Sequence, residues 1–263
     1  MKKSSQSIYQ HFHPSEKPFI DKVFQLIEKM ETSYSYQLTD FLDPRQLTIA
    51  SNILASQGVS YFLSTALCPM EQARLIIAPD YYVYHAEDFE ISLVEIDYPR
   101  KFSQLTHRQV MGAFLNQSGL KRGFLGDILV ADGRIQCFID SRKLPYLAQE
   151  VTSIGRLPVS LREIAFEERL VGESGQERFI ISSSLRLDKV VAQVLKKPRS
   201  QVLALIEQGR VKCDHALVDK PSLELAIGSL VSIRGYGRFQ IEKSKGLSKQ
   251  GKYKLIIRQM MSK

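Results

Sequence analysis

Pro198 and Gly209 fix what the stretch "SSLRLDKVVAQVLKKPRSQVLALIEQGRVKC", residues 183–213, can become. Proline has no amide hydrogen for a helix interior, so Pro198 must end any helix that precedes it. Glycine takes the left-handed backbone that closes a helix, so Gly209 supplies the next stop. Before Pro198, Leu187, Val190, Val191, Val194 and Leu195 recur at the spacing of one buried helical face. After it, Val202, Leu205 and Ile206 do the same, with Ser200 placed to cap the second helix. Arg210 and Lys212 then flank Val211 at the start of a strand. The pattern is two short amphipathic helices about a tight elbow, leading into a sheet.

The elbow is basic. At about 100° per residue, Arg186, Lys189, Gln193, Lys196 and Lys197 fall on a stripe beside the apolar face. Arg199 follows the proline directly. Phosphate oxygens can be met by several such cations and by the N–H groups at the second helix's N-terminus. Nothing in the residues calls for reading of base edges. The charge balance agrees: residues 181–263 hold 17 Lys/Arg against 6 Asp/Glu, a balance of +11, while residues 1–180 hold 19 against 22, or −3. A basic module on a near-neutral body points to a polyanion, nucleic acid before membrane, because no apolar anchor accompanies the charge.

Other bulk features narrow the classes. A chain of 263 residues, 44% hydrophobic and 24% charged, can bury a real core in two or three domains. Cys68, Cys137 and Cys213 are odd in number and widely spaced, which suggests neither a zinc site nor a disulfide framework and fits a reducing cytoplasm. The start, MKKSSQSIYQ, lacks the apolar run of a secretion signal, and no apolar stretch approaches the ~18 residues of a membrane span. A soluble cytoplasmic protein, a monomer without cofactor or metal, is expected.

Along the chain, residues 1–74 read as a helical domain. "PSEKPFIDKVFQLIEKM" spaces Phe19, Val23, Phe24, Ile27 and Met30 near the helical period. "DFLDPRQLTIASNILASQG" is punctuated by Asp43 as N-cap, Pro44 at the first position and Gly58 as stop. Residues 75–180 read as a second domain. There "ARLIIAPDYYVY" and "FEISLVEIDYP" are strands, "THRQVMGAFLNQSG" a helix ending at Gly119, and "GDILVADGRIQCFID" a hairpin turning at Asp132-Gly133. "SRKLPYLAQEVTSIG" gives a short helix and "RLPVSLREIAF" a last strand. From residue 91 the order is strand, helix, strand, strand, helix, strand: a ferredoxin-like (RRM-like) arrangement without an aromatic-rich RNP strand. "RLVGESGQERFIISS", residues 169–183, reads as a linker into the basic domain, residues 181–263. The expected class is α+β throughout.

The spaced elements of the last domain carry a resemblance. Arg186-Leu187-Asp188-Lys189, Arg199-Ser200, Ile206-x-x-Gly209-x-Val211, Lys220-Pro221-Ser222 and Gly228 before "LVSIRG" are similar to the S4 RNA-binding domain across about residues 183 to 240. Two positions depart from that pattern: Asp214-His215 stands where Asn-Gly is usual, and Ser229 where Asp often follows the glycine. With "TDFLDPRQ" and "THRQVMGAFLNQSGLKRGFLGDILV", the whole chain resembles the YlmH family of bacterial proteins with a C-terminal S4 module. That resemblance implies a ribosome-associated protein acting in rescue or quality control of stalled large subunits that still hold peptidyl-tRNA, with rRNA and tRNA as partners.

Several residues allow two readings. Arg186-Leu187-Asp188 resembles the catalytic triplet of pseudouridine synthases, yet a carboxylate in a helix's first turn also complements the dipole by ~0.3–1 kcal/mol. His11 and His13 could ligate metal or serve helix entry. Tyr81, Tyr82 and Tyr84 could stack bases or pack one strand face. His107, Arg108, Lys121 and Arg122 could contact RNA or be solvated. "EKSKGLSKQGKYK", residues 242–254, reads as a mobile basic loop, either solvated or an electrostatic arm to phosphates. The reading favoured is a non-catalytic RNA-binding protein whose contacts come from Arg186, Lys189, Lys196, Lys197, Arg199, Ser200, Arg210 and Lys212. The alternative is an RNA-modifying enzyme that uses the S4-like module for delivery. Residues 1–180 carry no Gly-rich nucleotide loop, metal cluster or nucleophile motif to support it.

Overall fold

In the computed structural model, which describes residues 9, 12–101, 103–171 and 175–260, the chain separates into two units, Met1–Glu173 and Ser174–Lys263. The first begins with helix α1, Lys17–Ser33, which buries Ile20, Val23, Ile27 and Met30. Helix α2, Pro44–Gln57, has the expected punctuation: the Asp43 carboxylate accepts the Gln46 N–H at 2.8 Å, and Gly58 closes the helix at φ +67°. Both helices pack on a three-stranded antiparallel sheet, β1 (Gln37–Leu38), β2 (Ser60–Leu63) and β3 (Leu75–Ala78), in the order β1-β3-β2. The helical reading of residues 1–74 is thus incomplete. Strands of two and four residues are too short for alternation to register. "ARLIIAPDYYVY" is a strand only over β3, since the chain turns at Pro79, whose carbonyl accepts the Tyr82 N–H.

The ferredoxin-like order holds. Strand β4 (Ile91–Asp97) leads to α3 (His107–Gly112), capped by Thr106 and continued as a π-helical turn over Ala113–Gln117. Then come β5 (Leu125–Ala131), β6 (Arg134–Asp140), α4 (Leu144–Glu150), a small hairpin of β7 (Ser153–Ile154) and β8 (Leu157–Pro158), and β9 (Ser160–Ile164). The antiparallel sheet runs β5-β6-β4-β9. Asp132 and Gly133 both have positive φ, as a tight two-residue hairpin turn requires. One sheet face packs Val94, Ile96, Ile135, Cys137 and Ile139 against Val110, Phe114 and Leu147 of the helical layer.

The other face is also filled. Phe41 and Cys68 share a core with Leu93, Leu129, Phe138 and Ile164, with Phe166 and Leu170 against it. Buried Arg74 donates to the carbonyls of Thr39, Phe89 and Glu90 and meets Asp140 at 3.1 Å. The 74/75 division expected from sequence falls inside this shared core.

The second unit is one six-stranded antiparallel sheet under two helices. Its elements are β10 (Gln176–Ser182), α5 (Leu187–Leu195), α6 (Arg199–Glu207), β11 (Val211–Cys213), β12 (Ala216–Leu217), β13 (Leu230–Ile233), β14 (Gly237–Leu247) and β15 (Tyr253–Met260). The sheet order is β10-β15-β14-β13-β11-β12. Leu187, Val190, Val191, Val194, Val202, Leu205 and Ile206 from the helices meet Val211, Val231, Phe239, Ile241, Leu255 and Ile257 from the strands.

Two expectations change here. Gln176–Ser182, read as linker, is an edge strand held to β15 over its whole length; residues 172–174 of that stretch lie outside the described residues. Residues 242–254, read as a loop, are mostly the β14–β15 hairpin. Lysines at alternate positions mask a strand whose apolar partners lie in β15. No helix among the described residues is long and apolar enough to cross a membrane.

Candidate nucleic-acid interface

Helix α5 starts on carbonyls from a distant loop. The first N–H groups of a helix have no partner within it. Here the Leu187 N–H donates to Leu223 at 2.8 Å and the Asp188 N–H to Pro221 at 3.1 Å. Lys220-Pro221-Ser222 is therefore part of the backbone cap of α5. Arg186 occupies the N-cap position with extended backbone and no capping side-chain bond of its own.

The Asp188 carboxylate is fully buried and ties the elbow together. Arg186 donates to it through Nε and Nη2, each at 3.3 Å, and Arg199 through Nε at 2.8 Å, with the Arg199 Nη2 2.7 Å away in the same ion pair. Burial alone would raise its pKa, but the hydrogen bonds from Arg186 and Arg199 and their charges hold it below the usual carboxylate range. The two guanidinium side chains stay 37% and 54% exposed. Each guanidinium has five donors, so both keep N–H groups beyond those Asp188 engages. Fixed guanidinium planes suit bidentate phosphate contact and lose little freedom on binding.

Other expected contacts fall in different places. Lys189 is half-buried on α5. Lys196 is exposed and lies past the helix in left-handed backbone at φ 52°, so the stripe ends before it. Ser200 does not cap α6. Pro198 is the N-cap, without a side-chain bond, and Ser200 is exposed in the first turn because Arg199 already takes the first helical position. Gly209 has φ +64°, with its N–H on the Ile206 carbonyl and the Arg210 N–H on Leu205. That doubly bonded glycine stop aims Arg210 at the β13–β14 turn, where its Nη2 donates to the Arg234 carbonyl at 3.0 Å. Lys197 reaches the same turn, 5.5 Å from the Tyr236 ring centroid. Lys212 stands apart: Val211 and Cys213 on either side of it face the helices, so it projects from the helix-free sheet face.

The elbow and the β13–β14 turn therefore meet. Arg234 and Tyr236 join the surface although sequence reasoning misses them. Their signal is present in "RGYGR", residues 234–238, an aromatic and two cations held in a turn by glycines. The two S4 departures keep their local geometry. Asp214 and His215 make the β11–β12 turn with φ 48° and 66°, and the Ser229 hydroxyl accepts the Ala226 N–H at 3.1 Å.

In the first unit, the sheet face on which RRM-type domains stack bases is occupied. The rest of that face is an ionic cluster. Buried Glu95 is bonded by Arg134 and Arg100 and by Gln136, whose side chain also holds Glu168 and Leu170. Tyr82 and Tyr84 pack within the fold: Tyr82 lies 4.9 Å from Tyr36 and donates to Asp88, and Tyr84 lies 4.6 Å from Phe62. Tyr81 is exposed and donates to the Tyr34 carbonyl. Arg108 and Lys121 are exposed, and Arg122 is engaged by the Leu125 carbonyl. His13 caps the turn before α1 through Nδ1, and His11 lies outside the described residues. Among the described residues no group of three or more His, Cys, Asp or Glu is placed to hold a metal.

Known proteins agree with this layout. Residues 85–168 match the family model described as a putative RNA-binding domain in YlmH, and residues 185–231 match the S4 domain. The chain is 33% identical over 251 residues to the ribosome-associated protein quality control protein P2 of Bacillus subtilis (strain 168), covering 95% of this chain and 97% of that protein. It is also similar to a solved structure titled cell division protein YlmH from Streptococcus pneumoniae. There the identity is 39% and the TM-score 0.56, over 62% of this chain and 98% of that one. Two consecutive domain matches and a relative aligned almost end to end leave one assignment: this chain belongs to the YlmH family.

Proposed function

We propose that this chain is a non-catalytic RNA-binding protein of the ribosome, holding rRNA and tRNA on large subunits stalled in translation. The observation that carries the reading is the Asp188-held pair Arg186 and Arg199, two oriented guanidinium groups at the junction of α5 and α6. Lys196, Lys197, Arg210 and the Arg234–Tyr236 turn extend the cationic surface around them. Lys189 adds charge at its margin, Lys212 contributes charge from the helix-free sheet face, and the exposed Ser200 hydroxyl is one further donor. The name of the Bacillus subtilis relative supports the ribosomal setting. Asp188 speaks against the enzyme alternative, because a carboxylate buried in two ion pairs has no free face for a substrate base.

The test has two parts. Arg186→Ala with Arg199→Ala should weaken binding to an rRNA stem-loop and lower the salt slope by up to about 0.9 for each phosphate the pair neutralises. Unchanged affinity and slope would remove these arginines from the interface. In a sucrose gradient the protein should travel with free large subunits; sedimentation with small subunits or at the top would defeat the ribosomal half of the proposal.

A further inference from the structure

Strands β10, β14 and β15 lie outside the S4 match at residues 185–231, yet they complete the same sheet. Their inner face is core: Ile180, Ile241, Leu255 and Ile257 lie against the helices. Their outer face follows from register. Phe179 pairs with Ile256, and Ile256 with Lys243, so these three form a row across the sheet; Ile181 pairs with Lys254 in the next row. Phe179 is 52% exposed and Ile181 41%. Lys243 is exposed. Two strand spacings, about 10 Å, separate Phe179 from Lys243, a span that a lysine stem can partly cover. At one end of this face exposed Glu177 pairs across the strands with Arg258, which also holds Glu242 at 2.5 Å, so the unmatched cations lie at the other end, at Lys243 and Lys254.

We propose that this face, with Phe179 open on its edge strand beside buried Ile256, is a base-stacking platform for single-stranded RNA, distinct from the elbow surface. The pattern combines an open aromatic ring with flanking lysines on a sheet. Such platforms stack bases on the ring while cations follow the backbone, without sequence preference. An apolar protein partner would leave Lys243 and Lys254 buried without counter-charge, whereas phosphates supply it. The platform rests on the RNA-binding reading above and adds a second class of RNA to it: an unpaired strand beside the structured element held at the elbow.

The chain has no tryptophan. Phe179→Trp therefore places a single indole reporter on the platform. In the full-length protein, adding decauridylate should quench its emission, and Phe179→Ala should weaken decauridylate binding about tenfold, the effect of removing one stacked base. The stem-loop affinity of Phe179→Ala should stay unchanged. Lys243→Ala with Lys254→Ala should lower the decauridylate salt slope by up to about 0.7 for each phosphate these lysines meet. An unquenched indole, or equal decauridylate binding by Phe179→Ala and the parent protein, would overturn the platform and leave the elbow reading standing. Loss of self-association in Phe179→Ala with RNA binding intact would also overturn it, in favour of a second copy of the chain. Failure of the elbow reading shows separately, as an unchanged stem-loop slope in the Arg186→Ala, Arg199→Ala protein.

Discussion

Asp188 sits between two guanidinium groups that sequence spacing alone leaves on separate helices. Its burial removes it from water, and Arg186 and Arg199 replace the lost hydration with hydrogen bonds. The triplet that could be taken for an active site is a clamp, and the cations that meet solvent are its partners. Asp188→Asn removes the charge and leaves two arginines facing each other across a buried amide. Breaking such a pair costs about 3–5 kcal/mol when fully buried; with both arginines partly exposed, a loss of about 1–3 kcal/mol at neutral pH is expected. Urea titration of the second unit measures it. The pH dependence has a definite sign, because the folded pKa lies below the unfolded value near ~3.9. The clamp's contribution is fully present above that value and fades as pH falls through the lower folded pKa. Parent and variant stabilities should therefore converge toward the acid end of that window and diverge above it. A constant difference across the range would mean that the carboxylate's charge is not what stabilises the elbow.

At the scale of elements, turns are legible in the sequence because their chemistry is local. Asp43-Pro44, Asp132-Gly133, Pro198 and Gly209 each act through their own backbone, and each stands where the sequence places it. Short or edge strands are not legible. Strands β1, β2 and β10 are strands because of their neighbours, and pairing partners leave no trace within a two- to seven-residue window. The Asp214-His215 turn shows the limit of local chemistry: both residues hold left-handed backbone without glycine, at φ 48° and 66°. Asp214 is fitted to its place by its carboxylate, which accepts the Leu230 N–H at 2.8 Å and so fixes the start of β13. His215 is half-buried in the same left-handed backbone, at φ 66°, a conformation that glycine adopts without strain. His215→Gly should stabilise the second unit by about 0.5–1 kcal/mol, the strain of a left-handed side chain less the entropy glycine adds to the unfolded chain. A lower melting temperature for that variant would show that the imidazole contributes more than the strain costs. In the ferredoxin-like sheet, Glu95 is held by the Arg134 hydrogen bonds at a pKa of about 2 despite burial. Glu95→Gln should cost that unit about 2 kcal/mol at neutral pH, since the half-exposed arginines are partly screened by solvent. That loss should vanish as pH falls from about 4 towards 2, which acid titration followed by circular dichroism reads.

For the whole molecule, core composition decides which pieces can stand alone. Every residue of the second unit's core lies between Ile180 and Ile257, so the fragment 174–263 carries its entire apolar interior. The ferredoxin-like sheet differs. Phe41 and Cys68 complete the core around Leu93 and Phe138, and Arg74 is the buried partner of Asp140. A fragment cut to residues 75–180 would open that face to water, strip Asp140 of one of its two arginines and carry β10 without β15. The secondary-structure order makes 75–180 look self-contained because strand and helix periodicity reports which face of an element is apolar, not which segment covers it. The fragment 1–173 should therefore give a dispersed amide NMR spectrum and a cooperative melt, while 75–180 should aggregate or remain only partly ordered. The fragment 174–263 should fold and keep the stem-loop affinity and salt slope of the full chain, since Arg186, Asp188, Arg199, Arg210 and Tyr236 all lie within it. If it folds but loses most of that affinity, the first unit supplies contacts of its own. These must then come from its exposed cations, such as Arg108 and Lys121, because its sheet face is closed.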